Sequence, residues 1–269
     1  MTYEAFKFAE KEGWDARAAA YDEFTGRVTT GAIPTLLAMA ELAPGKSILD
    51  LCCGTGRAAG AAIALGADAE GVDVSASMVK VAQSAFPAAR FVTGDAEAIP
   101  KNDADFDAVI CSFGIMHVGS PETMFNEIAR VLKPGGRVAL THWIGPPQSP
   151  LFRIVFGTMQ SLADMSVVPA SPPPFALSSE DTMREKLEAA GFREFSSARV
   201  PLVFKAPKGQ FAKHFRNFAA RAAVILDKQN EDVLKEIYSS WDTQLKDFLD
   251  GEEYHVPMPA IAVTAVRGA

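Results

Sequence analysis

Asp50, Asp73 and Asp95 each close a short apolar run, and the first of them stands just ahead of the turn Gly54-Thr55-Gly56. Ionised carboxylates only accept hydrogen bonds, so at strand tips they can hold paired hydroxyls or a cation. Neither Gly54 nor Gly56 carries a Cβ and both tolerate unusual φ/ψ, so a strand-to-helix turn built on them lets backbone N–H groups approach a ligand closely. Together these residues have the pattern of a nucleotide site, with Asp73 in the range expected of an acid that grips ribose hydroxyls. Two of the four histidines, His117 and His142, follow or end later strand-like runs, where a general base would work.

The elements that must position these residues alternate along the chain. The run opening at Ser47, then Asp68 to Asp73, Arg90 to Asp95, Asp107 to Ser112 and Arg137 to His142 read as strands. Between them lie an alanine-rich segment after Gly56, a segment from Ser75 with apolar Met78, Val79 and Ala82, and a helix face marked by Met124, Ile128, Val131 and Leu132. Parallel strands need crossover connections, so this order predicts a parallel sheet covered on both faces, with ligands at the carboxyl ends of its strands.

The motifs Ile48-Leu49-Asp50-Leu51-Cys52-Cys53-Gly54-Thr55-Gly56, Gly71-Val72-Asp73-Val74-Ser75, Gly94-Asp95-Ala96, Phe106-Asp107-Ala108-Val109, Ser112-Phe113-Gly114 and Arg130 to Arg137 are together specific. On them the chain resembles class I S-adenosylmethionine-dependent methyltransferases, in the subgroup similar to ubiquinone and menaquinone biosynthesis methyltransferases. The resemblance covers roughly residues 45–142, with a looser fit from Glu180 onward. It implies an α/β, doubly wound, Rossmann-like sheet of seven strands, mostly parallel with an antiparallel last strand, and a helical cap. It also implies methyl transfer from S-adenosylmethionine to a small-molecule acceptor, leaving S-adenosylhomocysteine. By the same resemblance, Asp50 and Gly54-Thr55-Gly56 hold the methionine end, Asp73 accepts two hydrogen bonds from ribose, Asp95 and the Ala96 N–H meet adenine, and Cys52 and Val74 also belong to the donor-binding set. Met78 covers an adenine face, carbonyls near Ser112 and Phe113 take the ammonium, and Tyr21 closes over the carboxylate; Met78 and Tyr21 have packing as an alternative role. Cys52 stands where the family usually has glycine, and ordinary strand-end dihedrals are expected there, since a side chain at positive φ costs on the order of 1 kcal/mol.

An NAD(P)-dependent oxidoreductase is one alternative, because Gly54, Gly56 and Gly60 imitate a dinucleotide fingerprint. Asp50 argues against it, since a carboxylate beside the turn repels a pyrophosphate and favours a cationic donor. Tyr3 and Lys7 have the spacing of a dehydrogenase pair but precede the nucleotide strand. The other alternative is a non-catalytic module that binds the donor or its product.

The 269 residues are 48% hydrophobic with a formal charge of −7, which supports a large core and gives no electrostatic reason for a nucleic acid partner. The three cysteines, Cys52, Cys53 and Cys111, suggest neither a disulfide framework nor a metal site. With no run long enough to span a bilayer and an acidic N-terminal segment, a cytoplasmic protein is expected. One domain is expected over 1–269: N-terminal helices over 1–44 (Trp14 to Phe24 resembling the family's opening helix), a donor core over 45–145, and cap segments over 146–178 and 206–252. Leu151 to Met165 reads as a helix, and the proline cluster at 169–174 as extended or a turn. Ser178 or Ser179 should cap a helix over Glu180 to Ala190, and Glu194 to Lys205 and Pro257 to Val266 should finish the sheet. Aromatic stripes through Phe211, Phe215, Phe218 and Ile225, and through Leu234, Ile237, Trp241 and Phe248, read as two helices, either core or a cap that selects a planar or apolar acceptor. Carbon, oxygen and nitrogen methylation share this fold, and no residue here selects among them or sets an oligomeric state. If the acceptor must lose a proton, His117 or His142 is the candidate base.

Overall fold

Period-two burial shows how the central strands are built: Ile48 packs on one face of the sheet and Leu49 on the other, while Ala108, Val109, Ile110 and Cys111 are all buried. Continuous apolar runs of this kind belong to parallel strands covered on both faces. The computed structural model describes residues 3–268, so Met1, Thr2 and Ala269 of the expected single domain lie outside the described residues.

The N-terminal region is α1 (Glu4–Arg17), a 3-10 segment (Ala18–Glu23), α2 (Thr25–Thr29) and α3 (Ile33–Met39). The donor core follows as β1 (Ser47–Leu51), α4 (Arg57–Ala64), β2 (Asp68–Asp73), α5 (Ala76–Ala85), β3 (Arg90–Thr93), β4 (Phe106–Ser112), α6 (Pro121–Val131) and β5 (Leu132–Trp143). Then come α7 (Pro150–Leu162), α8 (Glu180–Ala189), β6 (Phe192–Val200), β7 (Val203–Pro207), α9 (Phe211–Phe218), α10 (Ala220–Asp227), α11 (Glu231–Gln244), β8 (Leu249–Asp250), β9 (Glu253–Pro257) and β10 (Ala260–Arg267).

The main sheet has seven strands in the order β3-β2-β1-β4-β5-β10-β6, and β10 runs antiparallel to both of its neighbours. Chain order reverses between β1 and β4, the switch point at which open α/β sheets bind ligands. Parallel register pairs Asp73 with Thr93 and Ser112 with Thr141, which brings the strand tips to one edge.

Several boundaries differ from expectation. The run Glu194 to Lys205 is broken at Pro201, which cannot donate to a ladder, so β6 joins the main sheet while β7 starts a separate sheet, β7-β9-β8. The stretch from Val203 to Pro257, where only cap helices were expected over 206–252, therefore folds as a small antiparallel sheet with helices. The stripe from Phe211 to Ile225 splits at Ala219, which is extended, and the Phe218 carbonyl freed there accepts the Thr25 hydroxyl at 3.0 Å. The opening helix expected at Trp14 to Phe24 is the end of α1 tightened into a 3-10 segment, and the final strand begins at Ala260, after β9 has ended at Pro257. Ser179 stands at the start of α8 without a side-chain capping bond, and Ser178 donates its hydroxyl to Phe175 instead. No described helix is long and apolar enough to cross a membrane.

Candidate functional site

A cavity of about 640 Å³ opens at the carboxyl edge of the sheet, within the size range of small-molecule pockets. Of the residues expected at a donor site, Tyr21, Cys52, Gly54, Asp73, Val74, Met78, Asp95, Ala96, Ser112 and Phe113 line it. At the tip of β2, Asp73 accepts the Gly54 N–H and the Ser75 N–H, both at 2.8 Å, so its carboxylate shapes the glycine turn and the start of α5 together. Burial pushes its pKa up, against those two hydrogen bonds, and it keeps lone pairs for further donors. Tyr21 is pushed up to about 12, first by burial and also by the negative charges of Asp73, Asp22 and Asp50.

Asp50, Thr55 and Gly56 are not on the cavity wall. Asp50 lies beneath the turn, 1% exposed, where Oδ2 accepts the Ala59 N–H at 2.9 Å. The N-cap of α4 is Gly56, which has no side chain to offer, so Asp50 supplies the missing acceptor at a positive helix end. Thr55 donates to Asp22 at 2.9 Å. Gly56 has φ +79°, and a Cβ there would stand 2.7 Å from Phe91, so this glycine serves conformation and packing. Burial raises Asp50 to about 7, against the Ala59 hydrogen bond, and Oδ1 has no partner. The folded chain thus holds a proton that the unfolded chain, with its ordinary value of 3.8, releases. Stability from this group is present at acidic pH, falls as pH climbs from about 4 to 7, and stays lost above that, by roughly 4 kcal/mol. Asp50→Asn should therefore stabilise the ligand-free protein by about 2 kcal/mol or more at pH 8 and far less at pH 5. Urea unfolding at the two pH values checks this, and equal shifts would contradict it.

Cys52 departs from the expected dihedrals: its φ is +57°, and Phe113 at the tip of the adjacent β4 has the same value. Left-handed non-glycine residues on neighbouring strand tips store strain of about 1–2 kcal/mol each. Gly114 makes room for the bend, since a Cβ there would come within 2.4 Å of the Cys52 Cβ. All three cysteines are free thiols.

The N-terminal segment fastens to four tips of this edge. Lys7 pairs with Asp95 at 2.6 Å, Asp15 accepts the Ser75 hydroxyl at 2.6 Å, and Asp22 pairs with Arg57 at 2.7 Å as well as holding Thr55. Glu10, buried to 5% exposure, meets Nδ1 of His117 at 2.6 Å. A carboxylate there accepts a hydrogen bond from Nδ1–H and leaves Nε2 as the acceptor, and Nε2 has no partner among the described residues. The ring of Trp14 meets the His117 ring edge-on at 5.1 Å and fixes its tilt. His142 is not on the cavity wall itself: it is 3% exposed in a small adjoining recess with Pro173 and Leu177, and burial lowers it to about 4, which keeps it neutral. The recess shares Met116, Trp143 and Pro172 with the cavity wall, and its near-complete burial leaves this ring less open to an acceptor than the His117 ring.

Beyond the strand tips the wall is aromatic, formed by Phe113, Trp143, Phe152, Phe156, Phe175 and Phe218. Phe113 stacks on Trp143 with centroids 3.9 Å apart, and Phe152 and Phe218 each meet Trp143 edge-on at 5.8 Å. Sequence reasoning missed Glu10, Trp143 and Arg221 as lining residues, and took Lys7 only as half of a dehydrogenase pair. The i, i+3, i+7 spacing of Lys7, Glu10 and Trp14 on one helix face was the available signal for the first group; Arg221 had none.

Residues 48–136 match a methyltransferase domain family model. A demethylmenaquinone methyltransferase of Corynebacterium kroppenstedtii is 30% identical over 197 residues, 67% of this chain and 84% of that protein. One of Renibacterium salmoninarum is 38% identical over 113 residues, 42% of this chain and 47% of that protein; this chain spans about half the length of several such relatives. The crystal structure of the YcgJ protein from Bacillus subtilis shares the fold, with TM-score 0.61 and 22% identity over 88% of this chain and 98% of that one. With this sheet order, the strand-tip motifs and those relatives, the chain belongs to the class I S-adenosylmethionine-dependent methyltransferases of the demethylmenaquinone methyltransferase type.

Proposed function

We propose that this protein transfers the methyl group of S-adenosylmethionine to a small, planar and largely apolar acceptor by in-line substitution, with His117 as general base. One observation carries the reading: a single cavity joins the Asp73 tip, the aromatic wall and the Glu10–His117 pair. Bound S-adenosylmethionine supplies an electrophilic methyl group on a cationic sulfur. Asp73 accepts the ribose hydroxyls, Met78 lies against adenine, and Ala96 with Asp95 meets the adenine edge, Asp95 sharing its charge with Lys7. Carbonyls at Ser112 and Phe113 take the ammonium, and Tyr21 the carboxylate. Nε2 of His117 receives the proton that an acceptor hydroxyl or acidic carbon gives up, while Glu10 holds the ring in the required tautomer. Aromatic walls exclude water and hold the acceptor near attack geometry, an effect that can supply about 7–11 kcal/mol. The name of the demethylmenaquinone methyltransferase relatives supports a quinone-type acceptor, which is planar and apolar.

Calorimetry with S-adenosylmethionine and S-adenosylhomocysteine, followed by product assay against hydroxylated aromatic acceptors, tests the proposal. Binding with turnover is expected. Binding without turnover over a broad acceptor panel would favour the module, and tight NAD binding without donor binding would favour the oxidoreductase.

A further inference from the structure

Arg221 enters the cavity wall from the first turn of α10. Helices α1 and α10 cross closely at Gly13, where a Cβ would stand 3.5 Å from that of Ala220, and the crossing sets the Arg221 guanidinium 5.4 Å over the Phe6 ring. Its Nη2 donates to the Pro169 carbonyl at 2.8 Å. A guanidinium carries five N–H donors, and no other hydrogen bond and no ion pair of Arg221 occurs among the described residues. The other permanent cation of the wall, Lys7, is matched by Asp95 at 2.6 Å and Glu97 at 3.4 Å. Nearby Arg17 donates to the Gly13 carbonyl at 3.0 Å and leaves its Nε buried without a partner. Burial pushes both arginines below their ordinary range, and Glu10 is the one carboxylate that pulls either of them back. Glu10 is already engaged by His117. Arg221 is thus a half-buried guanidinium on the cavity wall with no carboxylate in ion-pair contact among the described residues, and a partly buried cation short of counter-charge favours an arriving anion.

We propose that Arg221 is a specificity-determining residue that holds an anionic oxygen, a carboxylate or an ionised hydroxyl, on an otherwise apolar planar acceptor. The proposal rests on the methyl-transfer reading of the cavity and narrows its substrate class. The aromatic wall selects the ring system, and Arg221 selects its charged edge. Its bond to Pro169 also ties the proline segment 169–174 to α10, so the acceptor's charge would be read where three segments outside the donor core meet.

The test uses the full chain saturated with S-adenosylhomocysteine, titrated with naphthalene carboxylate and with its neutral carboxamide. Wild type should bind the carboxylate about tenfold or more tightly than the amide, as expected of one charge-assisted hydrogen bond. Arg221→Met keeps the stem over Phe6 and should abolish the preference, Arg221→Lys should retain part of it, and affinity for S-adenosylhomocysteine should be unchanged in both. An unchanged preference in Arg221→Met, equal affinities in wild type, or no binding of either probe overturns the proposal. Weakened S-adenosylhomocysteine binding in Arg221→Met with the preference intact overturns it too, by assigning Arg221 to the donor. Failure of wild type to bind S-adenosylhomocysteine strikes the methyl-transfer reading instead, and the same two probes titrated into the ligand-free protein still decide Arg221.

Discussion

His117→Ala is expected to lower turnover by about 10²-fold or more while changing donor affinity less than twofold, because a positioned general base contributes roughly 10²–10⁴-fold. The imidazole reaches the cavity from the short 3-10 turn Ile115–His117 after β4, and its side chain keeps 31% exposure there. None of its contacts is with an expected donor residue: Glu10 holds Nδ1 and Trp14 packs the ring edge. Glu10→Gln keeps the shape and removes the charge that fixes the tautomer, so it should reduce kcat by about tenfold and leave the donor KM alone. His142→Ala serves as the control and should keep wild-type turnover. Steady-state kinetics with calorimetric donor titration on the three variants decides the matter; normal turnover in His117→Ala would remove the base from the mechanism.

The second large effect falls on donor binding. Asp73→Ala should weaken S-adenosylmethionine at least a hundredfold, since it removes the acceptor proposed for the ribose and frees the Gly54 and Ser75 N–H groups that the carboxylate holds in place. Each charge-assisted hydrogen bond contributes about 1.5–3 kcal/mol, and two such losses exceed two decades in affinity. Asp73→Asn should lie between, because its amide keeps one acceptor and turns an NH2 toward a backbone N–H. Calorimetric titration with S-adenosylhomocysteine measures the loss, and thermal unfolding shows whether each variant is folded. A drop under fivefold in folded Asp73→Ala would mean that ribose is held elsewhere.

The grouping of these residues along one sheet edge was legible because they sit at the ends of elements that alternate regularly, so the motif after β1, Asp73 at the end of β2 and Asp95 just past β3 are ordered by chain position alone. What misled the reading was depth. Asp50, Thr55 and Gly56 belong to the motif, but they support the turn from below or from its flank while Gly54 and Asp73 face the cavity. The dihedral at Cys52 was equally hidden, because the space that accommodates it is made by Gly114, from a different strand tip. On the acceptor side Glu10, Trp143, Pro172 and Arg221 converge from α1, β5, the proline segment and α10. No periodicity within one element links residues gathered from four of them, so Glu10 stayed unassigned among the N-terminal helices and α10 read as part of a stripe. The break at Ala219, which aims the start of α10 at the cavity, likewise depends on Thr25 far away in sequence.

On the proposed reading, the polar clasps running from Lys7 to Asp22 mean that the segment matched by the family model, residues 48–136, holds only part of the reaction centre. Grafted onto another scaffold it would carry the nucleoside cradle and the imidazole, but not the carboxylate that orients that imidazole or the arginine across from it. A match confined to this core therefore covers the strand tips alone, and a change in the opening helix can alter the partner of the imidazole while every strand stays in place.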